Sequence, residues 1–128
     1  MKKFNKALKI AAKIHNGNKG GKNNPAILHP IRVMLKMDDQ LSRTVAILHD
    51  VVESRKMTVD DLRNQGFNNK ICRAVGLLSR RKWESYDHYI KRVKTNKLAI
   101  KVKIADLEDN YITRNNKKKL SKLDKSKI

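Results

Sequence analysis

His49 and Asp50 stand side by side in Val45-Ala46-Ile47-Leu48-His49-Asp50-Val51-Val52-Glu53, and an adjacent imidazole and carboxylate can grip one divalent cation. His29, followed by Pro30, lies upstream, and Asp106 lies downstream in Val102-Lys103-Ile104-Ala105-Asp106. Brought together from three helices, these two imidazoles and two carboxylates make a mixed nitrogen and oxygen set. Such a set suits manganese, iron or zinc better than calcium, and it differs from a closed four-thiolate structural site. An ion held this way polarises a phosphoryl oxygen and acidifies water, so the chemistry it points to is hydrolysis of a phosphate ester or anhydride.

The elements that must position these groups read as helices. Val45, Leu48, Val51 and Val52 recur at helical spacing, which predicts a buried helix over residues 41–54 carrying the His-Asp pair. Glu53, four residues after His49 and three after Asp50, is expected on the same patch of helix surface. Burying acids and a histidine among apolar neighbours is costly without a counter-ion, and a metal removes that cost. Further helices are predicted over 4–15, 26–37, 58–65, 69–79, 85–95 and 98–113, with 16–25 a loop on its Gly, Asn and Pro content. Thr58 with Asp61 has the spacing of a capping box, and Gly66 suits the stop that follows. Period-two strand segments are absent from the pattern, so the fold class expected is an all-α helical bundle in a single compact domain.

Three ordered motifs, His29-Pro30, His49-Asp50-Val51-Val52-Glu53 and Lys103-Ile104-Ala105-Asp106-Leu107-Glu108-Asp109-Asn110, resemble those of the HD-domain phosphohydrolases. The closest branch is the hydrolase domain of RelA/SpoT-type proteins with the small alarmone hydrolases. The resemblance runs from about Ala7 to Arg114, supported by His15-x-Gly17 before Pro25 and by Thr58-x-x-x-Leu62 followed by Phe67. It implies an HD-domain bundle over residues 1–114, followed by a Lys-rich helix or tail over 115–128. It also implies that His29, His49, Asp50 and Asp106 ligate the metal, typically manganese in this branch, with iron, zinc and magnesium as alternatives. Glu53 would position or deprotonate the attacking water next to Asp50, and Asn110 and Thr113 would touch the nucleotide. The implied activity is that of a guanosine 3′,5′-bis(diphosphate) 3′-pyrophosphohydrolase of the stringent response, releasing pyrophosphate. The residues themselves are compatible, because Asp106, Asn110 and Thr113 are spaced to share one helix face.

The chain departs from that branch at three places. Ser54 stands where a second acid is usual, Gly20 and Gly21 replace an Arg-Lys pair that holds the nucleotide, and Ala26 replaces an aromatic. Lys19 or Lys22 are the candidates to restore the missing charge, although lysine lacks the planar fork of arginine. Another HD-type nucleotide phosphatase activity, on a different nucleotide such as a phosphorylated nicotinamide cofactor, fits the same ligand set.

With 128 residues the chain has length for one core. Its 31 Lys and Arg against 12 Asp and Glu give a formal charge of +19. Asp50, Glu53, Asp106, Glu108 and Asp109 lie in or beside the motifs, which leaves the remaining surface still more cationic. Such a field can steer a phosphorylated nucleotide into a cleft, can hold nucleic acid through its phosphates, or can serve solubility alone. A basic nucleic-acid-binding module with a structural metal is therefore the second functional reading, although no recognised nucleic-acid motif is present. The single cysteine, Cys72, reads as a buried structural thiol, and with no intrachain disulfide possible a cytoplasmic location is expected. No apolar run is long enough for a membrane span. His15 reads as a helix-end or pocket-wall residue and His88 as a surface or packing residue. Trp83, Tyr86 and Tyr89 are expected to close part of the core.

Overall fold

The computed structural model describes residues 2–16, 19–20 and 24–126, with side chains described for 2–16 and 26–116. Seven α-helices lie among the described residues: α1 (Lys2–His15), α2 (Leu28–Leu35), α3 (Gln40–Leu48), α4 (Val59–Asn64), α5 (Asn69–Leu77), α6 (Tyr86–Val93) and α7 (Lys97–Ser126). Between α1 and α2, the two-residue strands β1 (Lys19–Gly20) and β2 (Asn24–Pro25) pair antiparallel within the expected loop. The class is all-α, and the chain forms one domain around one core.

Helix α3 sits at the centre and touches α1, α2, α5 and α7. Its residues from Thr44 to Leu48 are all buried, consistent with a helix that meets protein on every side. Around it, α1 contributes Ala7 and Ala11, α2 contributes Val33, and α5 contributes Ile71, Cys72, Ala74 and Val75. Burying a Leu or Ile side chain stabilises the fold by roughly 1.5–3 kcal/mol, so this shared apolar surface is what holds the helices in register. No helix among the described residues is long and apolar enough to cross a membrane.

The sequence places the helix ends by recognisable chemistry. Asp39, Thr58, Asn68 and Ser85 each accept a backbone N–H of the first turn of α3, α4, α5 and α6, and Thr58 with Asp61 completes the expected capping box. Gly66, at φ 94°, closes α4: its N–H donates to Arg63 and that of Phe67 donates to Leu62. This Schellman closure needs a left-handed residue, which glycine adopts without a Cβ clash.

Two elements differ from expectation. Helix α3 ends at Leu48 rather than near Ser54, and residues 49–55 run through tight turns. His, Asp and two valines are poor helix continuers, and the His49 ring takes a carbonyl at the helix end. Val51 is nonetheless fully buried, because the turns keep it on the inner side. Helix α7 continues past Thr113 to Ser126, so no break in the helix falls at residue 114.

The aromatic expectation is corrected in part. Tyr89 is buried and its hydroxyl donates to the Leu78 carbonyl at 2.8 Å, whereas Trp83 is 75% exposed and Tyr86 is 45% exposed. Ser85 starts α6 after Trp83, and the helix turns Tyr89 and Val93 inward, leaving Tyr86 at the edge.

Candidate metal centre

Pro30 occupies the third position of α2, where the missing N–H would have had no helical acceptor, so the first turn tolerates it and carries His29 towards α7. On α7 the buried stripe runs Ala99, Val102, Asp106, Asp109: the face that packs apolar groups near its start delivers two carboxylates further along. His49, the C-cap of α3, is 2% exposed and lies between Asp106 and its own neighbour Asp50.

The four expected ligands come together. His29 Nε2 lies 2.6 Å from Asp106 Oδ1 and 4.0 Å from Asp50 Oδ2. His49 Nε2 lies 3.3 Å from both Asp106 Oδ1 and Asp50 Oδ1. One ligand atom from each of His29, His49 and Asp50 falls within 4.8 Å of the others, and this trio could hold a metal ion.

The outer atoms of these side chains are already committed. His49 Nδ1 donates to the Ala46 carbonyl at 2.6 Å, which satisfies a helix-end acceptor and leaves Nε2 aimed at the carboxylates. His29 Nδ1 donates to Asp109 Oδ2 at 2.6 Å, and Asp109 is itself held by Arg32 Nε at 2.8 Å and Arg32 Nη2 at 3.1 Å. Asp106 Oδ2 accepts from Lys103 Nζ at 2.9 Å, leaving Oδ1 to face the two imidazoles. The Nε2 atoms of both rings therefore face carboxylate oxygens, an arrangement that could hold a metal ion.

Electrostatics bind the cluster tightly. Burial works against a charged His49, but Asp50 and Asp106 outweigh it and push the ring up to about 9. His29 is likewise raised: burial opposes the charge, and hydrogen bonds to Asp106 and Asp109 prevail. Burial disfavours the Asp106 carboxylate, yet His29, His49 and Lys103 hold it well below the usual range. His15, the last residue of α1, is buried, and its Nε2 has no hydrogen-bond partner among the described residues; burial lowers its pKa. It is the helix-end residue expected, and it is coupled electrostatically to Asp50, His49 and His29.

Glu53 is not on a helix face shared with His49 and Asp50, because the helix has already ended. It reaches the opposite side of the turn, where Oε1 accepts the Arg80 N–H at 2.7 Å. Desolvation raises its carboxyl, the Arg80 hydrogen bond opposes this, and Asp50 adds to the rise, so Glu53 remains electrostatically part of the centre. Ser54 contributes nothing to it directly: its hydroxyl donates to the Val51 carbonyl at 2.5 Å and accepts from the Lys56 N–H. Asn110 is half-buried on the flank of the α7 stripe, and Thr113 is exposed beyond it, so the face expected to join them to Asp106 turns progressively outward. The Lys19 and Lys22 side chains lie outside the described residues.

Several contributors escaped the sequence reading. Asp109, Arg32 and Lys103 orient the ligands, and their signal was present: His29 and Arg32 on α2 and Asp106 and Asp109 on α7 are both three residues apart, matching two facing helices. Cys72 is buried with a thiol pushed up by desolvation, as a structural residue should be. His88 is an exposed surface residue whose Nδ1 meets the buried Glu84 at 2.5 Å.

No protein-family model and no curated protein matches the chain.

Proposed function

We propose that the chain is a metal-dependent phosphohydrolase of the HD type acting on a phosphorylated nucleotide. The observation that carries this reading is the convergence of His29 Nε2, His49 Nε2 and the Asp50 and Asp106 carboxylates, with every outer atom of the histidines already hydrogen-bonded. Such tying-off orients nitrogens towards a cation, whereas a purely structural polar cluster needs no common focus. A divalent cation there, manganese being the best candidate, would supply polarisation of a phosphoryl oxygen and acidify water.

The chain's own residues do the rest. Glu53, its proton affinity raised, takes a proton from the attacking water. Arg80, through its backbone N–H, fixes the direction from which Glu53 acts. Asn110, half-buried one turn beyond Asp106, is placed to contact substrate. Because the Ser54 hydroxyl closes the turn onto Val51, the base role falls to Glu53 alone.

The best single substrate is a guanosine tetra- or pentaphosphate cleaved at its 3′-pyrophosphate. Purified protein with manganese should release pyrophosphate from it, and Asp50→Ala should abolish release. If wild-type protein is inert across nucleoside polyphosphates, monophosphates and dinucleotide phosphates with manganese, iron, zinc and magnesium, the reading fails.

A further inference from the structure

Beside Glu53, a cleft of about 450 Å³ opens between the turns after α3 and the segment joining α5 to α6. Glu53, Arg55, Arg80, Arg81, Lys82 and Trp83 line it. Four cationic residues therefore line the cleft with one carboxylate, and among the described residues no ion pair joins any of the four to an acidic side chain. Crowding like charges in a concave site raises their mutual repulsion and focuses the field on whatever anion enters.

The wall is built rather than incidental. Glu84, whose side chain is fully buried, accepts from Arg92 Nε at 2.6 Å, Arg92 Nη2 at 2.7 Å, His88 Nδ1 at 2.5 Å and the Arg81 N–H at 3.2 Å. Arg80 Nε donates to the Glu84 carbonyl at 3.1 Å, and Arg92 Nη2 to that of Ser79 at 3.2 Å. This network fixes the backbone of the turn that carries Arg81 and Lys82. Opposite them Arg55 adopts φ 65°, a left-handed conformation uncommon for a residue with a Cβ, which is tolerated where surrounding structure imposes it. Trp83 is exposed in the same wall, with the Arg81 guanidinium 5.8 Å from its ring centroid.

We infer that this cleft binds the phosphate chain of a nucleoside polyphosphate, with Arg55, Arg81 and Lys82 as its cationic contacts and Glu53 at the inner end. The volume is that of a small-molecule site and not of an extended nucleic-acid groove. Charge assistance from several donors also fits two or more linked phosphates better than one. The inference rests on the phosphohydrolase reading only for placing the reacting phosphorus beside Glu53. It assigns the substrate's remaining charge to the segment 80–83.

Trp83 is the only tryptophan, so its fluorescence reports on this cleft alone. The test titrates EDTA-treated protein with sodium pyrophosphate, which keeps the cation centre out of the measurement. A saturable, salt-sensitive change is expected, and Arg81→Gln with Lys82→Gln should weaken it at least about tenfold. Both side chains are exposed, so the double variant retains the fold. A wild-type protein that gives this titration yet cleaves no nucleotide would support the cleft and sink the hydrolase reading. No response to pyrophosphate, an affinity unchanged in the double variant, or a response confined to oligonucleotides would overturn the inference even in an active enzyme.

Discussion

His29 Nδ1 donates to Asp109 Oδ2 at 2.6 Å, and the same carboxylate is gripped by the Arg32 guanidinium through two hydrogen bonds. The pair joins α2 to α7 and decides which nitrogen of His29 points at Asp50 and Asp106. Asp109→Asn preserves size but replaces an acceptor that Arg32 requires and lowers the basicity transmitted to the ring. Loss of such an orienting partner typically weakens cation binding about 10–100-fold. Calorimetric titration with manganese should show that loss while the circular dichroism spectrum stays helical; unchanged affinity would remove Asp109 from the centre.

Under the proposed reading Glu53 would separate catalysis from cation binding, since its carboxylate accepts the Arg80 N–H and, among the described residues, has no hydrogen bond to a histidine. Glu53→Gln should lower kcat about 10²–10⁴-fold, the usual worth of a positioned acid or base. Manganese affinity should move by less than a few-fold. A variant that keeps wild-type kcat would transfer the proton to another group.

Glu84 offers a pH-dependent readout of the segment before α6. Hydrogen bonds from Arg92, opposed by burial and joined by Arg81 and His88, hold its carboxyl far below the ordinary value of 4.5. A carboxylate depressed on folding stabilises the native state above its unfolded pKa, and that contribution is lost as pH falls through the folded value. Wild-type protein should therefore melt well above Glu84→Gln at neutral pH. The gap should narrow steadily below about pH 4.5, so melting temperatures that stay a constant distance apart would contradict the assignment.

Leu48 is fully buried in the last position of α3, immediately before His49. Leu48→Ala should cost about 2–5 kcal/mol in denaturant unfolding. Because the cavity opens directly beside His49, a ligand in the proposed centre, manganese affinity should fall in the same variant. An effect of the same size on stability with wild-type cation affinity would show that the centre is insulated from the core beneath it.

Much of the helix pattern was legible because four of the helix starts, those of α3, α4, α5 and α6, carry a local signal. Asp39, Thr58, Asn68 and Ser85 cap by side-chain chemistry that depends on neighbours within three residues. The end of α3 was not legible in the same way. Val51 and Val52 continue the apolar spacing after the backbone has left the helix, so periodicity alone runs on where hydrogen bonding stops. The candidate ligands His29, His49, Asp50 and Asp106 stood out through their residue types, and the structure brings His29, His49 and Asp50 within 4.8 Å of one another with Asp106 beside both rings. What the spacing could not reveal was the role of Glu84. Its partner Arg92 is eight residues away on the next helix, and only the folded turn makes their bidentate pair possible. The basic cleft was equally hidden, since Arg55 and the segment 80–83 meet only across the tertiary fold.

The ring of His49 closes the carboxyl end of α3 with one nitrogen and faces the carboxylates with the other. Secondary structure and ligand geometry are thereby written into a single side chain. A substitute such as cysteine or aspartate could still offer a donor atom, but it would free the Ala46 carbonyl and let the chain choose a different exit from the helix. Drift at this position is consequently all or none: the polypeptide cannot exchange one ligand type for another here without also redrawing the path that leads to Asp50.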